Sequence, residues 1–268
     1  MATLSDVLTP RPDQGRYLLE IPSGWRQGRG AFGGLVVGGL VRAIQHHTAD
    51  PARLVRSVTA ELPGAVEQGT VDITVETLRA GKNVSTSRAA LSQGGEIRSH
   101  AVAILGASRG GDEPPVAWNE LRRPEAPAWA AVAPSNIDSR TGPWPEFAQH
   151  FEYRIVDGLP MAGGTPRALG WIRSRDPGTP RDAAYLAAMI DAWWPAAFVR
   201  FTTMRPMATI AFTLDIVAGL TGIDPGAPLL YRATAPVCSD GYCLETRELW
   251  SEDGRLIAIN HQTFAVIR

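Results

Sequence analysis

Residues 28–43, GRGAFGGLVVGGLVRA, decide how this chain folds. From Gly33 onward the stretch is apolar nearly all round, with Leu35, Val36, Val37, Leu40, Val41 and, just beyond it, Ile44. A helix of that kind is buried on more than one side. It also holds Gly33, Gly34, Gly38 and Gly39, and each interior glycine weakens a helix by about 1 kcal/mol relative to alanine. Four together need an offset, and the one expected is sheet backbone lying directly against the helix. A helix wrapped by a curved sheet supplies that contact.

Outward from this helix, the same order of events is read twice. RYLLEIPSGWR precedes the helix as a strand-like segment, and period-two strands follow it at about 55–62, 70–79, 84–91 and 97–105. In the second half FEYRIVD and ALGWIRSR are strand-like and PRDAAYLAAMIDAWW is helical. Strands are then expected at about 208–217, 229–235, 242–251 and 256–267. Pro180 and Asp182 mark the start of the second helix, and Pro195 marks its end. Self-similarity of this sort signals duplication. Between the halves a stretch dense in proline, glycine and alanine shows neither period and reads as a linker anchored by Trp118, Trp129 and Trp144. The expected organisation is an N-terminal unit at 1–108, a linker at 109–145 and a C-terminal unit at 146–268.

The totals narrow the function classes. The chain has 268 residues, 44% of them apolar, and a formal net charge of -1, which fits a folded protein with a real core. Its start, MATLSDVLTPRPDQG, lacks the basic and apolar regions of a signal peptide. No apolar run reaches the length of a membrane span, so a cytoplasmic protein is expected. Arg167, Arg173, Arg175 and Arg181 flank one segment, but no basic stripe with interleaved aromatics offers a nucleic-acid groove. The five histidines have no ligand spacing beyond the adjacent His46 and His47, so neither a metal nor another cofactor is implied. Cys238 and Cys243 flank SDGY, a hairpin turn. A disulfide is conceivable there, but two reduced thiols are expected in a cytoplasmic chain.

AAMIDAWWPAAF, residues 187–198, places one carboxylate in a run that otherwise offers water almost nothing. Asp191 falls in the last helical turn, where the negative end of the helix dipole disfavours it by about 0.3–1 kcal/mol. Neither capping nor propensity accounts for it. It needs partners from the strands that follow. MATIAFTLDIV alternates, with Ile210, Phe212, Leu214 and Ile216 on one face and Thr209, Ala211, Thr213 and Asp215 on the other. The last strand interrupts its apolar residues with Asn260, His261, Gln262 and Thr263, more than a solvent face requires. Some of these four are expected to be buried and hydrogen-bonded.

Taken together, GRGAFGGLVVGGLVRA, AAMIDAWWP, MATIAFTLDI and AINHQTFAVI resemble segments of the acyl-CoA thioesterases built from two fused hotdog domains, the bacterial type II group. The resemblance spans nearly the full length. It implies an α+β fold of two fused hotdog domains, each a central helix wrapped by a curved antiparallel sheet, and by the same analogy a homo-oligomer, a dimer or higher. It further implies catalytic roles for Asp191, Thr209 and Gln262. Beside it, substrate contacts are expected at Phe32, Gly33 and Gly34, where backbone without side chains lets a ligand approach, and at Trp194, which with Trp193 and Phe198 hints at a short or aromatic pocket. The first helix carries no acid between Gly33 and Thr48, so one active half per chain is expected.

The chemistry implied is hydrolysis of an acyl-CoA thioester to free acid and CoA, placing the chain in lipid metabolism. An acid, a hydroxyl and an amide together fix one water and accept its proton. Backbone N–H groups at the helix start, with Gly33 and Gly34 allowing close approach, polarise the carbonyl. The same glycines also fit plain helix packing. A serine hydrolase is disfavoured because no Gly-x-Ser-x-Gly elbow occurs. A phosphate loop is disfavoured because the glycines lack the Gly-Lys-Ser/Thr ending, Lys82 being the only lysine. Two alternatives stand beside hydrolysis: a non-catalytic acyl or acyl-CoA binder, and a hotdog hydratase or dehydratase using His261.

Overall fold

The computed structural model describes residues 2–109, 117–140 and 142–267. A short helix α1 (Leu4–Val7) is followed by strands β1 (Arg11–Asp13), β2 (Arg16–Ile21), β3 (Arg26–Gln27) and β4 (Gly30–Ala31). Helix α2 (Gly33–Thr48) then leads into β5 (Leu54–Glu61), β6 (Gly69–Ala80), β7 (Val84–Gln93) and β8 (Glu96–Gly106). The second half begins with β9 (Phe151–Asp157) and β10 (Arg167–Ser174), followed by α3 (Ala183–Asp191) and α4 (Ala197–Arg200). It ends with β11 (Met207–Ile216), β12 (Leu229–Ser239), β13 (Tyr242–Trp250) and β14 (Leu256–Val266).

Twelve strands form one antiparallel sheet in the order β1-β2-β6-β7-β8-β5-β11-β14-β13-β12-β10-β9, with β3 and β4 paired separately. The order β2-β6-β7-β8-β5 of the first half returns as β10-β12-β13-β14-β11 in the second. The halves meet where β5 pairs with β11, Thr59 opposite Thr213. The strands follow the period-two segments read from the sequence to within a few residues. No helix among the described residues is long and apolar enough to cross a membrane.

The glycines of α2 serve a different contact from the one expected. A Cβ on Gly34 would lie 2.8 Å from the Cα of Ala188, and one on Gly38 would lie 3.0 Å from the carbonyl oxygen of Ala184, both in α3. A Cβ on Gly39 would meet the side chain of Leu19 in β2. Two helix backbones, rather than helix and sheet backbone, are what the small residues bring together. Gly34 and Gly38 face Ala184 and Ala188, both pairs spaced by four and so on one side of each helix. Asp182 ties the helices again: it caps α3 through the N–H groups of Ala184 and Tyr185 and takes a 2.8 Å bond from Arg42 of α2.

Strict alternation in β11 fails at one point. The register against β14 shifts between Thr209 and Ala211, so Thr209 stands opposite Phe264 while Phe212 stands opposite Gln262. Directly opposed residues share a face, and the bulged Ile210 therefore turns Thr209 onto the inward face with Phe212 and Leu214. A second correction concerns the cysteines, which form a disulfide. They are direct cross-strand partners in the β12–β13 hairpin, with Cα atoms 4.0 Å apart.

The stretch read as a linker is packed more closely than its composition suggests. Trp129 lies under the guanidinium groups of Arg154 and Arg173, 3.8 and 4.9 Å from its ring centre, and both arginines bond to Glu152. Trp171 donates to the Pro127 carbonyl. Trp118 is 79% exposed, against the anchoring expected of it. Each such cation–π contact is worth about 0.5–2 kcal/mol. Trp129→Ala is expected to speed tryptic cleavage after Arg122 and Arg140 several-fold, read by limited proteolysis with the rest of the fold intact.

Candidate active site

Helix α3 ends, and α2 begins, where the sheet offers polar side chains. All nine residues of α3 are buried, and Asp191, its last, is 7% exposed. On β14 the inward positions Asn260 and Gln262 alternate with the exposed His261. The Gln262 amide donates to Asp191 Oδ1 at 2.8 Å and to Asn260 Oδ1 at 2.9 Å, and its Oε1 accepts from the Thr209 hydroxyl at 3.0 Å. Asn260 donates in turn to the Thr213 carbonyl at 2.7 Å. An acid, an amide and a hydroxyl from three distant segments thus form one connected set.

Asp191 is held from two further directions. Arg247 Nη1 lies 3.3 Å from Oδ1 and also donates to the Ile190 carbonyl at 3.1 Å. From the opposite side the start of α2 closes in, with the Gly34 N–H bonded to the carboxylate. A Cβ on Gly33 would sit 2.9 Å from Oδ2. Burial pushes the Asp191 carboxyl above its ordinary range, opposed in turn by Arg247, the Gln262 bond and the Gly34 N–H. A carboxylate so placed is a stronger proton acceptor than one in water. Oδ1 is occupied by two donors, and Oδ2 faces backbone without a side chain.

The other residues expected at the site divide. Trp194 lines a cavity of about 260 Å³ at the end of α3, whose wall continues through Ala192, Trp193 and Pro195. Its Nε1 donates to the Gly158 carbonyl at 3.2 Å. Gly33 and Gly34 touch the acid, and the Gly34 N–H is already engaged there. Phe32 is fully buried and is not part of this cavity wall. It stacks on Phe147, 4.1 Å between ring centres, and Phe147 forms the wall. Phe32 thus stands behind the cavity wall that Phe147 forms. His261 lies on the other side of the sheet from Asp191, beside Thr246.

Sequence reasoning missed two components. Glu245 and Arg247 occupy inward positions of β13, both essentially inaccessible to water, and alternation with Cys243 and Leu249 was the signal that could have found them. The part of the cavity wall made by Ile137, Pro143, Trp144 and Pro145 was also missed, because these residues come from the aperiodic stretch. Ile137, Trp144 and Leu159 also border a second, wider cavity of about 610 Å³. Asp191, Thr209 and Gln262 line neither of the two.

Comparison with protein families finds two matches: the acyl-CoA thioesterase N-terminal domain over residues 21–107 and the acyl-CoA thioesterase C-terminal domain over residues 121–266. Comparison with curated proteins gives no match. Among solved structures, a conserved hotdog-fold protein of Alicyclobacillus acidocaldarius is 23% identical with a TM-score of 0.86, covering 99% of this chain and 98% of that one. A candidate thioesterase II of Thermobifida fusca is 22% identical with a TM-score of 0.82, covering 100% and 98%. An acyl-CoA thioesterase II of Mycobacterium marinum is 20% identical with a TM-score of 0.76, covering 98% of each. At these identities the likeness concerns the fold, and the fold is the hotdog.

Proposed function

Because the chain belongs to the acyl-CoA thioesterase family, we propose that it hydrolyses an acyl-CoA thioester to the free acid and CoA, with its catalytic centre in the C-terminal half. Two fused hotdog units, 1–108 and 146–268, joined by 109–145, carry the site. The observation that supports it best is the Gln262 amide bridging Thr209 and Asp191. Asp191 accepts the proton of a water that Thr209 and Gln262 orient, and hydroxide character develops as the water attacks the thioester carbonyl. A positioned base contributes about 10²–10⁴ in rate. The start of α2, bare of side chains at Gly33 and Gly34, lets the carbonyl oxygen approach backbone N–H groups.

The acyl group occupies the cavity beside Trp194. Its walls are aromatic and proline-rich, and its volume of about 260 Å³ lies just under the roughly 300 Å³ at which pockets for drug-sized ligands begin. A compact acyl group fits; a long chain requires the wall at Trp144 to move. The kcat/KM for short or aryl acyl-CoA is therefore expected to exceed that for palmitoyl-CoA by roughly tenfold or more, measured by thiol release. Trp144→Ala joins the two cavities and is expected to narrow the gap. A parent enzyme that prefers the long chain overturns this assignment of the cavity.

One feature favours a second reading, a non-catalytic acyl binder: the acid and its partners line neither cavity. Quenching of tryptophan fluorescence by acyl-CoA with no release of CoA is the result that selects the binder. Release of CoA selects hydrolysis.

A further inference from the structure

Glu245 and Arg247 neither orient the water nor accept its proton in the proposed hydrolysis. They sit at inward positions of a central strand, where apolar residues of similar volume would serve stability as well or better, since desolvating two charges offsets their attraction. Their hydrogen bonds run to one another and to the end of α3 and the turn after it. Arg247 Nε donates to Glu245 Oε1 at 2.7 Å, and Nη1 reaches the Ile190 carbonyl and Asp191 Oδ1. Glu245 Oε2 accepts the Ala196 N–H at 2.6 Å. One guanidinium is thus divided between two carboxylates, and one of these is the proposed base.

Each half of the pair has a separate consequence. Without Arg247 the acid would be a buried carboxylate at the negative end of a helix, which favours its protonated form. With Arg247 to itself, the acid would be stabilised as an anion and become a poor proton acceptor. Glu245 draws the Nε side of the guanidinium away and adds a second negative charge nearby. We propose that Arg247 and Glu245 are positioning residues that jointly set the charge state and orientation of Asp191, Arg247 holding it ionised and Glu245 keeping it basic. This rests on the reading of Asp191 as the base.

The remaining groups around Asp191 leave that control to the pair. Among the described residues Tyr153 of β9 and Tyr231 of β12 are further titratable neighbours, and burial raises both well above the ordinary tyrosine range, so they stay neutral. From β14 come the neutral Gln262 and Asn260, from β11 Thr209, and from α2 only the backbone of Gly33 and Gly34. Arg247 remains charged throughout. Burial likewise raises the Glu245 carboxyl, opposed by Arg247 and the Ala196 N–H.

The test is the pH dependence of kcat/KM for the full chain and three variants. Arg247→Met is expected to move the acid limb upward by about 1–3 pH units and Glu245→Gln to move it downward by about one unit. Arg247→Lys, which keeps the charge, is expected to return the limb toward its original place. Opposite shifts from two residues in contact are not produced by a purely structural role, which lowers kcat at every pH. Limbs that stay put, or move in the same direction, overturn the proposal. Should Arg247→Met fail to fold, Glu245→Gln and Arg247→Lys decide. If the parent protein releases no CoA from any thioester, hydrolysis is wrong on its own account. The carboxyl stretch of Asp191, identified by its loss in Asp191→Asn and titrated by infrared spectroscopy, then reads the same two shifts, and their absence is equally decisive.

Discussion

Asp191→Asn is expected to lower kcat for thioester cleavage by about 10²–10⁴ while leaving the protein at least as stable at neutral pH as its parent. The first half follows from removing the one proton acceptor in the connected set of Thr209, Gln262 and the acid. The second half follows from the sign of linkage. Burial raises the folded-state pKa of Asp191 above that of the unfolded chain, so the folded state favours the protonated acid. Stability is then fullest below the ordinary carboxylate range, and part of it is lost as pH rises from there through the raised value. Asparagine keeps an oxygen for Arg247 and Gln262 and never ionises. Arg247 retains Glu245 as its partner, and the net charge of the buried cluster falls from one negative to none. Thermal melts over a pH series rising from the ordinary carboxylate range check this: the parent should lose stability as pH rises, and the variant should lose less. A variant that keeps a tenth of the parent kcat would remove Asp191 from the chemistry. One that melts far below the parent at pH 8 would show that the carboxylate holds the fold together.

How much of this was legible in the sequence depends on the range of the interactions involved. Period-two alternation and the apolar run of α2 are local signals, and they located the strands, both main helices and their repeated order. The inward placement of Gln262 was implied by the excess of polar residues in β14. That of Thr209 was not, because one bulged residue, Ile210, reverses the alternation on its N-terminal side and only the register against β14 reveals it. The partners of Gly34 and Gly38 lie about 150 residues away in α3, and a glycine that allows a helix to approach looks the same in sequence as one that allows a strand to approach. Arg247 and Glu245 were visible as charges on a predicted strand, but which face they occupied depended on the sheet. The cysteines were judged by cellular compartment, whereas their pairing follows from standing opposite one another in a hairpin. Ile137 and Trp144 shape the cavity from an aperiodic stretch that carries no pattern to read.

The contact between α2 and α3 makes two glycines of the same helix behave differently. In Gly34→Ala the new Cβ would lie 2.5 Å from Phe32 Cζ and 2.8 Å from the Ala188 Cα. The second of these is backbone, and it sits three residues before Asp191 on the same helix. Alanine gains about 1 kcal/mol in helix propensity, but forcing atoms into a packed interface typically costs about 1–3 kcal/mol and occasionally more. Relief requires α3 to move away from α2, which carries Asp191 with it and breaks the Gly34 N–H bond to its carboxylate. A displacement of about 1 Å at a catalytic group is enough to cost roughly 10² in rate. Gly34→Ala is therefore expected to lower both the melting temperature, by about 2–4 °C for each kcal/mol lost, and kcat. Gly39→Ala meets only the end of the Leu19 side chain in β2, which can rotate aside, and the gain in propensity offsets much of that adjustment. It is expected to change kcat little. Equal losses of activity in the two variants would mean that the helix-to-helix backbone contact does not position the acid. Loss confined to Gly34→Ala would place that contact among the determinants of catalysis, one that gives α2 a function in a site it supplies with no side chain.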